Sequence, residues 1–424
     1  MRATTTLSQR VVQRVPFFYG WIMLPIATLA FMATTPGQTI GVSVFNNSFR
    51  EALNLSHTQL TGAYALGTFL ASLPQSYIGA LMDRYGIRRV MTAVVIAVGL
   101  ACLFVSQVNG LIMLFLAFFL LRMFGQGALS LLSTNTLAMW FHNRLGTVQG
   151  VYNVGGAAAL AIFPPLILYL IENFGWRTAY ALLGVLVCAV MLPILFTLFE
   201  NRPEDIGQLP DGERFAPTAE EAAALSKNDL TLPQAMRTYA YWIYLIMMAV
   251  VGMIITAVFF NALPMFESFG LDQTVAAYTF TLVAISSAVV QLIGGILADY
   301  VPVRFLTALS MVGFTGAILL LLSTDSAALA YTYALVVGAA NALFGVSQGT
   351  MWARYFGRSH LGKIRGSVMT AAVAGTSLGP FIMGATYDWL GSYTTSLWIF
   401  VILFAPFIVL PIFAKPPLPQ ERTS

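Results

Sequence analysis

Charge is what this sequence lacks. Only 9% of its 424 residues are Asp, Glu, Lys or Arg, against roughly 25% in soluble domains, too few to cover a surface that faces water. Cysteine and histidine are scarce as well, with two and three copies. Cys102 and Cys188 both lie in apolar segments, which excludes a disulfide framework or a cysteine metal site. His57, His142 and His360 fall at the ends of apolar runs without an HExxH pair, so no metal is expected. No glycine-lysine phosphate loop occurs, and the GQG at 125–127 follows no strand, so no nucleotide or other cofactor is expected either. Without a nucleophile–base pair or a basic face, neither an enzyme nor a nucleic-acid partner fits.

What is present is apolar sequence, 58% of the chain. It comes in runs long enough to cross a bilayer as helices, which takes about 20 residues and satisfies every backbone hydrogen bond in lipid. The short alternating segments of an outer-membrane barrel are absent. Twelve spans are expected, at 17–48, 56–80, 89–107, 110–140, 147–171, 176–199, 238–266, 273–298, 304–323, 327–355, 363–387 and 393–414. The first follows an arginine-bearing N-terminus, but it is too long for a signal peptide. The class is an all-α integral membrane protein.

The few charges are placed unevenly. With both termini in the cytoplasm, all but three of the 21 Lys and Arg residues fall on the cytoplasmic side, among them Arg84, Arg88, Arg89, Arg144, Arg354, Arg358, Lys363 and Arg365. Arg50 and Arg177 lie outside, and Arg122 lies within a span. Such a bias fixes orientation, and it predicts a multi-pass protein of the inner (plasma) membrane. GALMDRYGIRR, 79–89, is then the turn between spans two and three. Gly86 can supply the positive φ of a tight reversal. Asp83 sits at the C-terminal end of its helix, against the macrodipole, and is stabilised only by facing an arginine or the N-terminus of another helix.

A thinner copy, GILADYVPVRF, stands at 295–305. Gly79 and Gly295, Asp83 and Asp299, and Arg88 and Arg304 share an offset of 216. Pro164 and Pro380, Glu172 and Asp388, and Gly175 and Gly391 repeat it. One shared offset implies two six-span halves in parallel orientation, 1–200 and 238–424, with a substrate site near mid-membrane where they meet. The polar stretch 201–237 between them is expected to be a cytoplasmic linker, with one short helix around 219–225.

The G-x-x-x-D-x-x-G-x-R-R pattern at 79–89, echoed after the eighth span, resembles the signature loop of the major facilitator superfamily. The resemblance implies that family's fold, twelve transmembrane helices in two parallel six-helix bundles. It also implies a gating role for Gly79, Asp83, Arg84, Gly86, Arg88, Asp299 and Arg304, the loop acid capping the opposite bundle. The fourth span, FLLRMFGQGALSLLSTNT at 119–136, resembles the family's arginine-glycine motif. Trp140, Phe141, Arg144, Gly150, Gly155 and Gly156 are similar to the monocarboxylate-transporter and oxalate/formate-antiporter branch. Leu145 and the eighth span depart from it: Gln291 stands near the place of an arginine in the animal carriers, and the intramembrane acid is missing.

A charge inside a span is costly, so it reads first as function. Arg122 is the conspicuous one, and Gln126, Ser130 and Ser133 follow it on one helix face. An arginine in a dry cavity favours an anion. Gln38, Asn46, Asn153, Asn261, Asn341 and Gln348 are the other candidates to line a path; each could equally be an interhelical hydrogen bond. The expectation is secondary active transport of a small organic anion, a carboxylate, by proton symport or exchange. Two alternatives stay open: an exporter of hydrophobic or drug-like compounds, and a non-transporting sensor with the same fold.

Overall fold

The computed structural model describes residues 17–212 and 229–417, so the short helix expected around 219–225 lies outside the described residues. Ten helices among the described residues are long and apolar enough to cross a membrane. The first span is interrupted: α1 (Gly20–Met32) gives way to a 3-10 turn (Thr35–Gly37) and a short α2 (Thr39–Ser43), with the break at Pro36-Gly37. After α3 (Asn46–Leu53), the second span runs as α4 (His57–Ser72) and α5 (Gln75–Tyr85), divided at Pro74, whose ring and missing N–H disrupt a helix interior. α5 continues five residues past the expected end of the span at 80, and those residues belong to the signature turn.

Next come α6 (Ile87–Ser106) and α7 (Leu111–Leu120). The fourth span continues through a nine-residue π-helical stretch, Leu121–Leu129, into α8 (Ser130–Trp140). The fifth and sixth spans form one helical run, α9 (Leu145–Thr197), broken at Gly175. Its φ of 75° is matched by 67° at Gly391, the residue 216 positions on, so the repeat extends to backbone geometry. Counting α9 as two spans and the divided α4–α5 as one is consistent with twelve.

A short α10 (Leu232–Ala235) precedes α11 (Tyr239–Phe260) and α12 (Ala262–Ser268), which split the seventh span at Asn261. The chain then runs through α13 (Gln273–Tyr300), α14 (Val303–Leu322), α15 (Ala327–Phe356), α16 (Leu361–Leu390) and α17 (Thr394–Phe413).

Two compact units result. One comprises Met1–Asn143, Gly155–Asp229 and Arg358–Thr370; the other comprises Arg144–Val154, Leu230–Gly357 and Ala371–Ser424. Each therefore carries the first turns of a helix from the other half of the sequence. Within the first, α1 packs on α8 and α4 on α7. Phe45, Phe49, Phe118 and Tyr180 make its aromatic core, with the Phe45 and Tyr180 rings 4.0 Å apart. Within the second, α15 packs on α13 and α14, and α14 on α17, around Phe314, Phe344 and Phe404. Leu100, Ile112 and Ile402 stay at least 61% exposed, the lipid-facing surface that the composition demands.

Candidate gating and substrate site

The signature turn is built on a close approach of two helices. In the first unit α5 crosses the start of α16 so tightly that a Cβ on Gly79 would land on the Gly362 carbonyl oxygen. One turn on, Gly366 lies against the Gln75 carbonyl. With the backbones that near, the Asp83 carboxylate accepts from the N–H groups of Gly362 at 2.9 Å and Lys363 at 2.8 Å. These are the orphan donors of a helix N-terminus, where a carboxylate is favoured by the macrodipole.

The second unit repeats the arrangement between α13 and the start of α9. Gly295 lies against Gly146, and Gly150 against the Gln291 carbonyl. Asp299 accepts from the N–H groups of Gly146 at 2.7 Å and Thr147 at 2.9 Å, and from the Thr147 hydroxyl at 2.7 Å. Gly146 and Gly362, Thr147 and Lys363, Gly150 and Gly366, and Gln75 and Gln291 all keep the offset of 216. The repeat thus covers the receiving helices as well as the acids.

The two crossings differ in charge. Asp299 is ion-paired to Arg354 at 2.8 Å, and the same guanidinium reaches the Ala298 carbonyl. Position 138, the counterpart of Arg354, is alanine. Among the described residues no lysine or arginine pairs with Asp83. Burial pushes the Asp83 carboxyl up from 3.8 to about 6, against the two backbone hydrogen bonds and the fields of His360 and Arg202.

The remaining turn residues hold their own helices. Gly86 ends α5 at φ 84°, and the Arg88 N–H donates to Asn201 Oδ1 at 2.9 Å. The Arg88 guanidinium donates to the Leu195 and Phe196 carbonyls at 2.8 and 2.5 Å, a cation on the last turn of α9. Arg84 is exposed, 5.2 Å from the Tyr85 ring; Arg304 lies 4.9 Å from the Phe305 ring.

Arg122 lies in the π-helical stretch, a feature frequent at functional sites. It is 4% exposed. Its guanidinium donates to the Gly37 carbonyl at 3.2 Å and to the Thr39 hydroxyl at 3.1 Å, and sits 5.1 Å from the Tyr64 ring. The Tyr64 hydroxyl donates to the same Thr39 oxygen at 2.9 Å. Gly37 permits this, because it packs with its Cα 3.1 Å from where a Cβ of Gly125 would stand. Every group around the cation is neutral: among the described residues no carboxylate pairs with it, and its Nε has no partner. Gln126 Oε1, one turn on, is likewise buried without a partner.

The other candidates are spread out. Gln38 lies between the two residues that Arg122 binds and donates to Thr34 Oγ1 at 3.0 Å. Asn46 starts α3, half-buried. In the second unit Asn153 accepts from Gln149 at 3.2 Å, close to Gly345 of α15, and Gln348 accepts from Trp352 Nε1 at 3.1 Å. Asn261 donates to the Ala257 carbonyl at the end of α11, and Asn341 is exposed on α15. The sequence reading passed over Thr39 and Tyr64, ordinary residues in apolar runs, and grouped Arg354 and Arg365 with the loop cations. Arg365 is in fact 7% exposed and donates to Asn135 Oδ1 at 3.0 Å.

A family model, Major Facilitator Superfamily, matches residues 26–268 and 245–424. The chain is 27% identical to human Monocarboxylate transporter 11 over 400 residues, 89% of this chain and 79% of that protein. It is 25% identical to the Probable L-galactonate transporter of Escherichia coli over 47% of this chain and 42% of that one. Among solved structures it resembles the proton:xylose symporter XylE, with a TM-score of 0.74 at 14% identity, covering 94% of this chain and 96% of that one.

Proposed function

The chain belongs to the major facilitator superfamily, and from that premise we propose that it moves a small organic anion, a carboxylate, by alternating access, as proton symport or exchange. Membership makes it a multi-pass membrane transporter of small molecules and not an enzyme. The anion reading goes further, and one observation carries it: Arg122 is buried among neutral groups, with no carboxylate among the described residues to balance it. A buried charge without a counter-ion is expensive, and an arriving carboxylate relieves that cost while gaining charge-assisted hydrogen bonds. Thr39 is exposed and Tyr64 half-buried, which gives an anion a route to the guanidinium rim. Two of the proteins named above, Monocarboxylate transporter 11 and the Probable L-galactonate transporter, have printed names that point to carboxylate anions. In this reading Gln126 and Gln38 flank the anion, and the glycine–aspartate crossings at Asp83 and Asp299 are the parts that open and close. The charge bias of the loops supports an orientation with both termini in the cytoplasm.

The test is uptake of labelled carboxylates by membranes containing the wild type, Arg122→Lys or Arg122→Ala at equal protein level. Uptake should vanish in Arg122→Ala and be reduced in Arg122→Lys, which keeps charge but loses the fork geometry. Unchanged transport by Arg122→Ala removes the anion argument.

A further inference from the structure

Two more aspartates hold the same two helix starts, one turn earlier. Asp211 Oδ2 accepts from the N–H groups of His142 at 3.0 Å and Asn143 at 2.6 Å. Asp229 Oδ1 accepts from the N–H groups of Arg358 at 2.8 Å and Ser359 at 3.4 Å, and its Oδ2 from the Ser359 hydroxyl. The recipients are again repeat partners: 142 and 358, and 143 and 359, differ by 216. Four residues later stand the pairs that Asp299 and Asp83 hold. Both new acids come from the polar stretch between the halves, on either side of 213–228.

A linker that only connected would have no reason to place a carboxylate on equivalent turns of both repeats. Asp211 does so at φ 60°, a left-handed backbone that few residues other than glycine adopt. Arg358 adds further ties, donating to the Met139 carbonyl near the end of α8 and, at 3.4 Å, to Glu204 of the same stretch. Burial lowers the Arg358 pKa, and the nearby Glu204 opposes that shift. Only four residues separate the two tiers on each stretch, 142–143 from 146–147 and 358–359 from 362–363.

We propose that Asp229 is a second clasp on the start of α16: it is a positioning residue that holds 358–359, and its tier and the Asp83 tier release only together. The proposal rests on membership of the transporter family and is independent of what the substrate is.

Hydrogen exchange on the full-length protein tests it without any ligand. In Asp229→Ala, amides at 358–359 must exchange faster whatever the role. The clasp further predicts about fivefold faster exchange at 362–363, the loss typical of one side-chain cap, although Asp83 is untouched. Coupling is reciprocal, so Asp83→Ala must speed exchange at 358–359. Asp229→Asn, which keeps an acceptor oxygen, should fall between alanine and wild type. Acceleration confined to 358–359, with 362–363 at the wild-type rate, overturns the proposal. Should the alanine variants fail to fold, Asp229→Cys with Ser359→Cys gives a second test. The closed disulfide should slow exchange at 362–363 relative to the reduced form, and equal rates overturn it.

Discussion

Lowering the pH from 7 to 5 should favour the conformation in which Asp83 holds the start of α16. There the carboxyl titrates near 6 instead of 3.8, chiefly because burial disfavours its charge, with the Gly362 and Lys363 N–H groups and the fields of His360 and Arg202 pulling the other way. A raised acid pKa means that protonation favours the held form. Its contribution is complete below about pH 3.8 and is lost as pH rises through about 6. Linkage between these values gives about a ninefold shift between pH 7 and pH 5, ~1.3 kcal/mol. Partial exposure makes this an upper figure, because solvent screens the interaction. Nitroxide labels at Tyr85 and Lys363, both exposed, would report the held population as a short distance in pulsed electron resonance. The short-distance fraction should rise on acidification, and Asp83→Asn should remove most of that rise. A fraction that falls on acidification, or an equal rise in Asp83→Asn, refutes the reasoning.

Five substitutions test the geometry around the turns. Gly362→Ala drives a methyl group into the Gly79 carbonyl, the Met82 thioether end and Asp83 Oδ1, and overpacking of this kind costs about 1–3 kcal/mol. Its melting temperature in detergent should drop, and Gly146→Ala should drop likewise. Gly86→Ala must hold φ 84° and ψ 154° with its Cβ 3.0 Å from Asn201 Oδ1; that nearly glycine-only backbone costs about 1–3 kcal/mol, again read as a lower melting temperature. Arg354→Gln removes the charged partner of Asp299 at about 1.5–3 kcal/mol, whereas the exposed Arg84→Gln should leave stability unchanged.

The spans were legible in the sequence because lipid admits only long apolar helices, and the offset of 216 made the repeat legible. Asp83 itself announced that it needed a helix N-terminus or a cation. Which N-terminus it meets was not written locally, since Gly362 lies 279 residues away in the chain; only the fold brings it to α5. Arg354 was invisible as a partner because the repeat has alanine at 138. Asp211 and Asp229 were hidden by composition: in a polar stretch rich in acids, nothing local distinguishes a carboxylate that caps a turn from one that faces water. Hydropathy averaged over a span does not register the divisions at Pro74 and Asn261: the flanks of Asn261 stay apolar, and the few polar residues around Pro74, Ser72, Gln75 and Ser76, are outweighed by the apolar runs on either side. At Arg122 the sequence showed the costly charge but not its neutral surroundings, which turn that cost into an argument for an anion.

The most direct measurement is uptake by proteoliposomes of purified protein, with labelled small carboxylates and uncharged and cationic compounds of similar size, with and without a pH gradient. Saturable uptake of at least one carboxylate, inhibited by other anions, is the predicted result. Transport of the uncharged or cationic compounds with none of the carboxylates moved would contradict the account.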